Sequence, residues 1–181
     1  MTVEQRMFET FKEHAILYVL SRPTNEWEWL ALAQHHRLPT RLLDWTTNPL
    51  AALWFAITSK APRRGASVVW VFRPDDNDMA NLDEHSPFDE TRTKVFRPAH
   101  VSPRIRAQSG YFTVHKRTRD RFIAFEKNTM YKDRLTKLAI NPEVFTDLTR
   151  TLNRFGINSA TLFPDLDGVC AQIEAEYTVL R

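Results

Sequence analysis

An α+β fold, a small mixed or antiparallel sheet packed with several helices, is predicted by three features of this 181-residue sequence. Two helical patterns open the chain, short strand-like segments then mix with further helices, and no regular β-α-β alternation links them. Apolar residues make up 43% of the chain and aromatic residues 12%, enough large side chains for a core.

Over residues 4–20, Met7, Phe8, Phe11, Ala15, Tyr18 and Val19 recur at helical spacing, with Glu4, Lys12 and Glu13 off that stripe. The helix stops before Pro23. Thr24 or Asn25 caps a second one over residues 26–36, with Trp27, Leu30, Ala31 and Gln34 on one face, and Pro39 ends it. Residues 40–46 are extended. Asn48 and Pro49 then start a buried helix, LAALWFAIT. Beyond a basic turn at residues 61–65, ASVVWVF (residues 66–72) is the clearest strand, apolar throughout as a central strand would be. Residues 73–87, with five acids, form a long surface loop. Short strands follow at 93–96, 105–108, 111–115 and 136–140, with Gly110 at a turn or bulge between two of them. Asn141, Pro142 and Glu143 start a helix that runs to Phe155, its stripe of Val144, Leu148, Leu152 and Phe155 facing the core, and Gly156 ends it. A turn leads to a last helix over residues 165–177.

Composition excludes several classes. One cysteine, Cys170, permits no internal disulfide or Cys-based zinc site and reads as a buried, inert thiol, so a cytoplasmic location is expected. No apolar stretch approaches the ~18 residues of a membrane span, and the first fifteen residues are charged where a signal peptide is apolar. A net charge of +3 is too small to imply a nucleic-acid partner. A local cluster over residues 104–121, with Arg104, Arg106, Lys116, Arg117, Arg119 and Arg121 around Tyr111, Phe112 and His115, is either a solvated face or a phosphate-facing surface.

The densest polar segment is QHHRLPTRLLDWTTN, residues 34–48. Adjacent His35 and His36 project about 100° apart on a helix, so they do not chelate one metal as an i, i+4 pair does, and no metal site is expected. A helix-end histidine bonded to the last carbonyls accounts for one of them. Arg41 and Asp44 point to opposite faces of an extended segment. Asp44 is open to two roles: an Asx turn onto the following N–H groups, or an acceptor for a ribose hydroxyl or a positioned Arg. Thr46 and Thr47 either cap the next helix or stand where a helix N-terminus meets phosphate. Gln108, before Ser109 and Gly110, suits a polar ligand edge or a hairpin. Asp165, Asp167 and Gly168 contain part of a calcium-loop pattern without its third acid, which favours helix capping.

Three blocks, LALAQHHRLPTRLLDWTTNPLAALWFA (residues 30–56), AQSGYFTVH (107–115) and GINSATLFPDLDG (156–168), closely resemble the FRG-domain family of bacterial and phage proteins. The resemblance covers nearly the whole chain as one domain, 1–181. The Phe/Tyr-Arg-Gly motif that names the family is missing here, so the resemblance implies an N-terminally incomplete domain. The edge so exposed, beside Asp44, is then open to the missing segment, a partner chain or a second copy.

Fold logic extends the resemblance to ADP-ribosyltransferases. It implies a toxin or phage-defence effector with NAD as substrate and no metal. NAD would lie against Asp44, Trp45 and Thr46, with Trp45 stacking on or packing beneath nicotinamide. Arg41 would take a phosphate, Thr46 and Thr47 would stand for the Ser/Thr strand, and Gln108 would fall near the usual catalytic Glu. Because an amide supplies no anion for the oxocarbenium, Asp44 is the second catalytic candidate. Gln34, His35, His36, Tyr111 and Phe112 complete the candidate pocket. Two other readings stand beside this one: a non-catalytic binding module, and a nucleic-acid-acting effector using Arg104 to Arg121.

Overall fold

A computed structural model describes residues 2–19, 21–59, 65–99, 102–116 and 124–178. The chain divides into two compact units: Met1–Trp45, Pro74–Val101 and Tyr111–Phe122 form the first, and Thr46–Arg73, Ser102–Gly110 and Ile123–Arg181 the second. Among the described residues, seven α-helices and five short strands in two sheets make an α+β fold. Among the described residues, no helix is long and apolar enough to cross a membrane.

In the first unit, α1 (Val3–Ala15) starts at a capping box in which Thr2 and Gln5 satisfy each other's backbone N–H. It is shorter than its apolar pattern predicts. Phe8 is its one buried residue, while Leu17 and Tyr18 are each 85% exposed beyond its end, so the stripe of Tyr18 and Val19 is corrected; Leu20 lies outside the described residues. Helix α2 (Glu26–His35) is capped by Asn25 and buried on nearly all sides. That includes Glu28, whose carboxylate accepts from the N–H and hydroxyl of Thr24 at 2.7 and 3.0 Å.

Strands β1 (Leu42–Thr46), β3 (Lys94–Phe96) and β4 (Gly110–Val114) form a sheet in the order β1-β4-β3, so β1 is an edge. Trp27 packs on Phe96 and Phe96 on Phe112, with ring centroids 5.0 and 5.5 Å apart, at the centre of this unit's core. The acidic loop is less of a surface loop than its composition predicts. A 3-10 turn at Asp76–Asp78 buries Asp78 completely, and Arg92 neutralises it.

The second unit starts with α3 (Pro49–Thr58). Its partner β2 (Ser67–Phe72) pairs, among the described residues, only with β5 (Leu135–Ile140), antiparallel, from Ser67 opposite Ile140 to Phe72 opposite Leu135. The predicted central strand is therefore half of a two-stranded ribbon, with Trp70 and Val71 exposed. Of residues 105–108, predicted as a strand, 105–107 belong to helix α4 (Pro103–Ala107) and Gln108 is its C-cap: Ser102 caps its start and Pro103 occupies its first turn, a start signal stronger than the β propensity of Ile105. Gly110 accordingly follows a helix.

The predicted helix from Asn141 splits into a 3-10 turn at Pro142–Val144 and α5 (Phe145–Arg154). Phe145 and Leu152, with Ile57, make the core, whereas Val144 and Phe155 point to solvent. Gly156 ends α5 in the left-handed region, φ 75°. Residues read as a turn form α6 (Ser159–Leu162), and α7 (Leu166–Thr178) closes the chain. Cys170 is exposed on α7, not buried.

Candidate functional site

Two backbone bonds fix how β1 lies on β4: His115 N–H to Arg41 C=O at 3.5 Å, and Thr47 N–H to Ser109 C=O at 3.2 Å. Antiparallel pairing between those ends turns the N–H and C=O of Leu43 and Trp45 toward β4, and those of Leu42, Asp44 and Thr46 toward the sheet's edge. The Leu42 N–H is met by the Thr40 hydroxyl at 3.2 Å. Asp44 is thus the middle residue whose backbone N–H and C=O face the edge, and its side chain, on one face of the sheet, is exposed.

A short relay fixes that side chain. The Thr40 hydroxyl donates to Gln34 Oε1 at 2.6 Å, which orients the amide so that Gln34 Nε2 donates to Asp44 Oδ2 at 3.1 Å. His35 ends α2 and His36 is its C-cap, their rings 5.0 Å apart and edge to face. Among the described residues no group of three His, Cys, Asp or Glu could hold a metal.

Arg41 and Asp44 do not pair. Arg41 instead meets Glu4 in a bidentate pair, Nε to Oε1 at 3.0 Å and Nη2 to Oε2 at 2.8 Å, with its guanidinium 4.8 Å from the Phe88 ring centroid. The Trp45 N–H donates to the Thr113 hydroxyl at 2.9 Å. Alternation along β1 puts Trp45 on the face opposite Asp44 and Thr46. The Thr46 hydroxyl donates to Gln108 C=O at 2.6 Å. The Gln108 amide itself donates to Leu162 C=O at 3.0 Å, so Gln108 is held by α6. Phe112 is a core residue against Phe96, and Tyr111 lies 5.8 Å under the Arg97 guanidinium.

The start of α3 is saturated by its own chain. Pro49 has no N–H, Asn48 Oδ1 accepts from Leu50 and Ala51 at 3.0 and 3.3 Å, and Ala52 donates to the Asn48 carbonyl at 3.1 Å. Capping, one of the two predicted roles of this corner, is carried by Asn48, while the Thr46 hydroxyl accepts the Asn48 N–H at 2.9 Å.

Sequence spacing gave no sign of one polar group. His115 Nε2 lies 2.8 Å from the Thr113 hydroxyl and Nδ1 lies 3.4 Å from that of Thr93, both threonines being buried. Burial pushes the pKa of His115 below the ordinary value of 6.5, which favours the neutral ring. Of the basic segment, Arg104 packs its guanidinium 4.3 Å from the Phe163 ring centroid, Lys116 is exposed, and Arg117, Arg119 and Arg121 lie outside the described residues.

The second unit also holds a cavity of about 620 Å³, walled by Trp54, Arg104, Asn153, Phe163 and Gln172 among others; none of the predicted site residues lines it. Asp165 caps α7 through the Gly168 N–H at 2.8 Å, as the capping reading of that motif predicts.

No curated protein and no solved structure matches the chain. Residues 1–65, about a third of the chain and the stretch that carries α1, α2, β1 and α3, match the FRG domain family.

Proposed function

We propose that this FRG-type chain binds a nucleotide ligand of the NAD class at the open edge of β1 and acts on it as an ADP-ribosyltransferase-like effector. The observation that carries this reading is Asp44. Its carboxylate is exposed and oriented by Gln34, and its backbone N–H and C=O face the sheet's edge. A carboxamide such as that of nicotinamide offers one acceptor and one donor, the complement of an outward N–H and C=O on one strand residue. Ribose hydroxyls would donate to the carboxylate.

In the reaction, the bond between ribose C1′ and nicotinamide breaks, its electron pair leaves on nicotinamide, and positive charge grows on the ribose. An acceptor nucleophile then bonds to C1′ and loses its proton. Asp44 is the anion placed to stabilise that charge. Arg41, engaged with Glu4, is held three residues before it in the chain.

The test is a titration of NAD followed by tryptophan fluorescence, with released nicotinamide measured separately. Saturable binding that Asp44→Asn weakens about tenfold, the loss of one charge-assisted hydrogen bond, supports the reading. No saturable change refutes it.

A second reading, a non-catalytic binding module, is favoured by the engagement of Arg41, Trp45, Asn48 and Gln108 with groups of the chain itself. It predicts binding without nicotinamide release. The nucleic-acid reading requires binding that weakens steeply with salt.

A further inference from the structure

Helix α7 is built with its large apolar residues on the wrong side for a core helix. At about 100° per residue, Gly168, Ala171, Gln172 and Ala175 share one face. Those four residues line the cavity of the second unit, and Gly168 and Gln172 are buried. On the opposite face Leu166, Val169, Ile173 and Tyr177 are 81%, 43%, 51% and 65% exposed, with exposed Cys170 among them. They recur at i, i+3, i+7 and i+11 and cover a strip about 100° wide, the width by which a helix seats on another element. A scattered exposed leucine needs no explanation; a continuous outward stripe along three turns does.

Charge selects what seats there. Glu176 borders the stripe on one side, Asp167 and Glu174 on the other, all three exposed, and α7 contains no Lys or Arg. A second copy of α7 would set acids against acids, and an anionic bilayer would be repelled by the same residues. We infer that the outer face of α7 is a docking site for a basic amphipathic helix of another protein, its apolar side chains laid along Leu166, Val169, Ile173 and Tyr177 and its Lys or Arg residues paired with the flanking acids. This is helix-in-groove recognition with i, i+3, i+7 anchors. It is independent of the β1 edge.

The experiment uses the full chain and a dye-labelled synthetic peptide of about eighteen residues, five helical turns, of Leu, Lys and Ala with leucines along one face. A second peptide carries Glu in place of every Lys. Anisotropy is expected to show saturable binding of the Lys peptide that weakens with salt, and at least about tenfold weaker binding of the Glu peptide. Ile173→Ser is expected to weaken the Lys peptide about tenfold while leaving the thermal midpoint of the free chain unchanged, because the side chain projects into water. Bound peptide is also expected to slow the reaction of Cys170 with an aromatic disulfide reagent. Equal binding of the two peptides, or none, overturns the proposal. A lowered midpoint for Ile173→Ser would make the stripe part of the core, and self-association lost on that substitution would make the occupant a second copy; either result overturns it too.

Discussion

Gly168→Ala adds one methyl carbon, which would lie 1.9 Å from Phe163 O, 2.7 Å from Phe163 Cβ and 2.8 Å from Ser159 O. All three atoms are backbone or Cβ, so no rotamer change relieves the clash; α7 must move away from α6 and the turn after it. Overpacking of this kind costs up to about 3 kcal/mol, and the better helix propensity of Ala returns about 1 kcal/mol. The expected net loss is about 2 kcal/mol, a fall in thermal midpoint of roughly 4–8 °C for a chain of this size. Propensity alone gives the opposite sign. Gly156→Ala is the comparison: its φ of 75° is strained for Ala but nothing lies within 4 Å of the new carbon, so a cost near 1 kcal/mol is expected from backbone strain alone. Thermal and urea unfolding of both variants measure this. A Gly168→Ala protein as stable as the parent, or more so, would refute the close α6–α7 approach.

Arg41→Met takes the guanidinium from the Glu4 carboxylate in a pair whose side chains are 9% and 15% exposed, and is expected to cost about 3 kcal/mol in urea unfolding. Arg41→Met combined with Glu4→Leu should recover much of that loss. His115 is neutral in the fold with its pKa below 6.5, so the unfolded chain binds the extra proton first. Stability is therefore expected to fall as pH drops below 6.5 toward the depressed value and to be full above it, and His115→Gln should flatten the urea midpoint across pH 5–8. Asn48→Ala removes the α3 cap and is expected to lower stability by about 1 kcal/mol. Cys170 is expected to react with a thiol reagent in the native protein nearly as fast as in urea, which a buried thiol would not do.

Local signals carried the reading where they were strong. Asn25, Asn48 with Pro49, Gly156 and Asp165 mark element ends by side-chain and backbone chemistry that acts within three or four residues, and all four do so in the fold. Where a choice depended on distant partners the pattern misled. The apolar run of β2 reads as a central strand, yet among the described residues only β5 pairs with it. The apolar side chains of Phe155 and Tyr18 match a core stripe by period, and nothing local says that the chain offers them no core. At the site, the extended segment around Asp44 was legible from alternation. The engagement of Arg41 was not, because Glu4 lies thirty-seven residues away, and neither was the relay from Trp45 through Thr113 to His115.

The chain passes from one compact unit to the other five times, at residues 45–46, 73–74, 101–102, 110–111 and 122–123. Neither unit is contiguous, so neither can be cut out as a single piece of chain. The stretch that matches the FRG family, residues 1–65, supplies Trp27 and Leu42 to the first core but omits β3 and β4, which bring Phe96, Phe112 and Val114. Expressed alone it would present a bare edge and half a core. What is inherited as a recognisable segment is here smaller than what folds, and a deletion mapped on the segment's boundary would unravel both units at once.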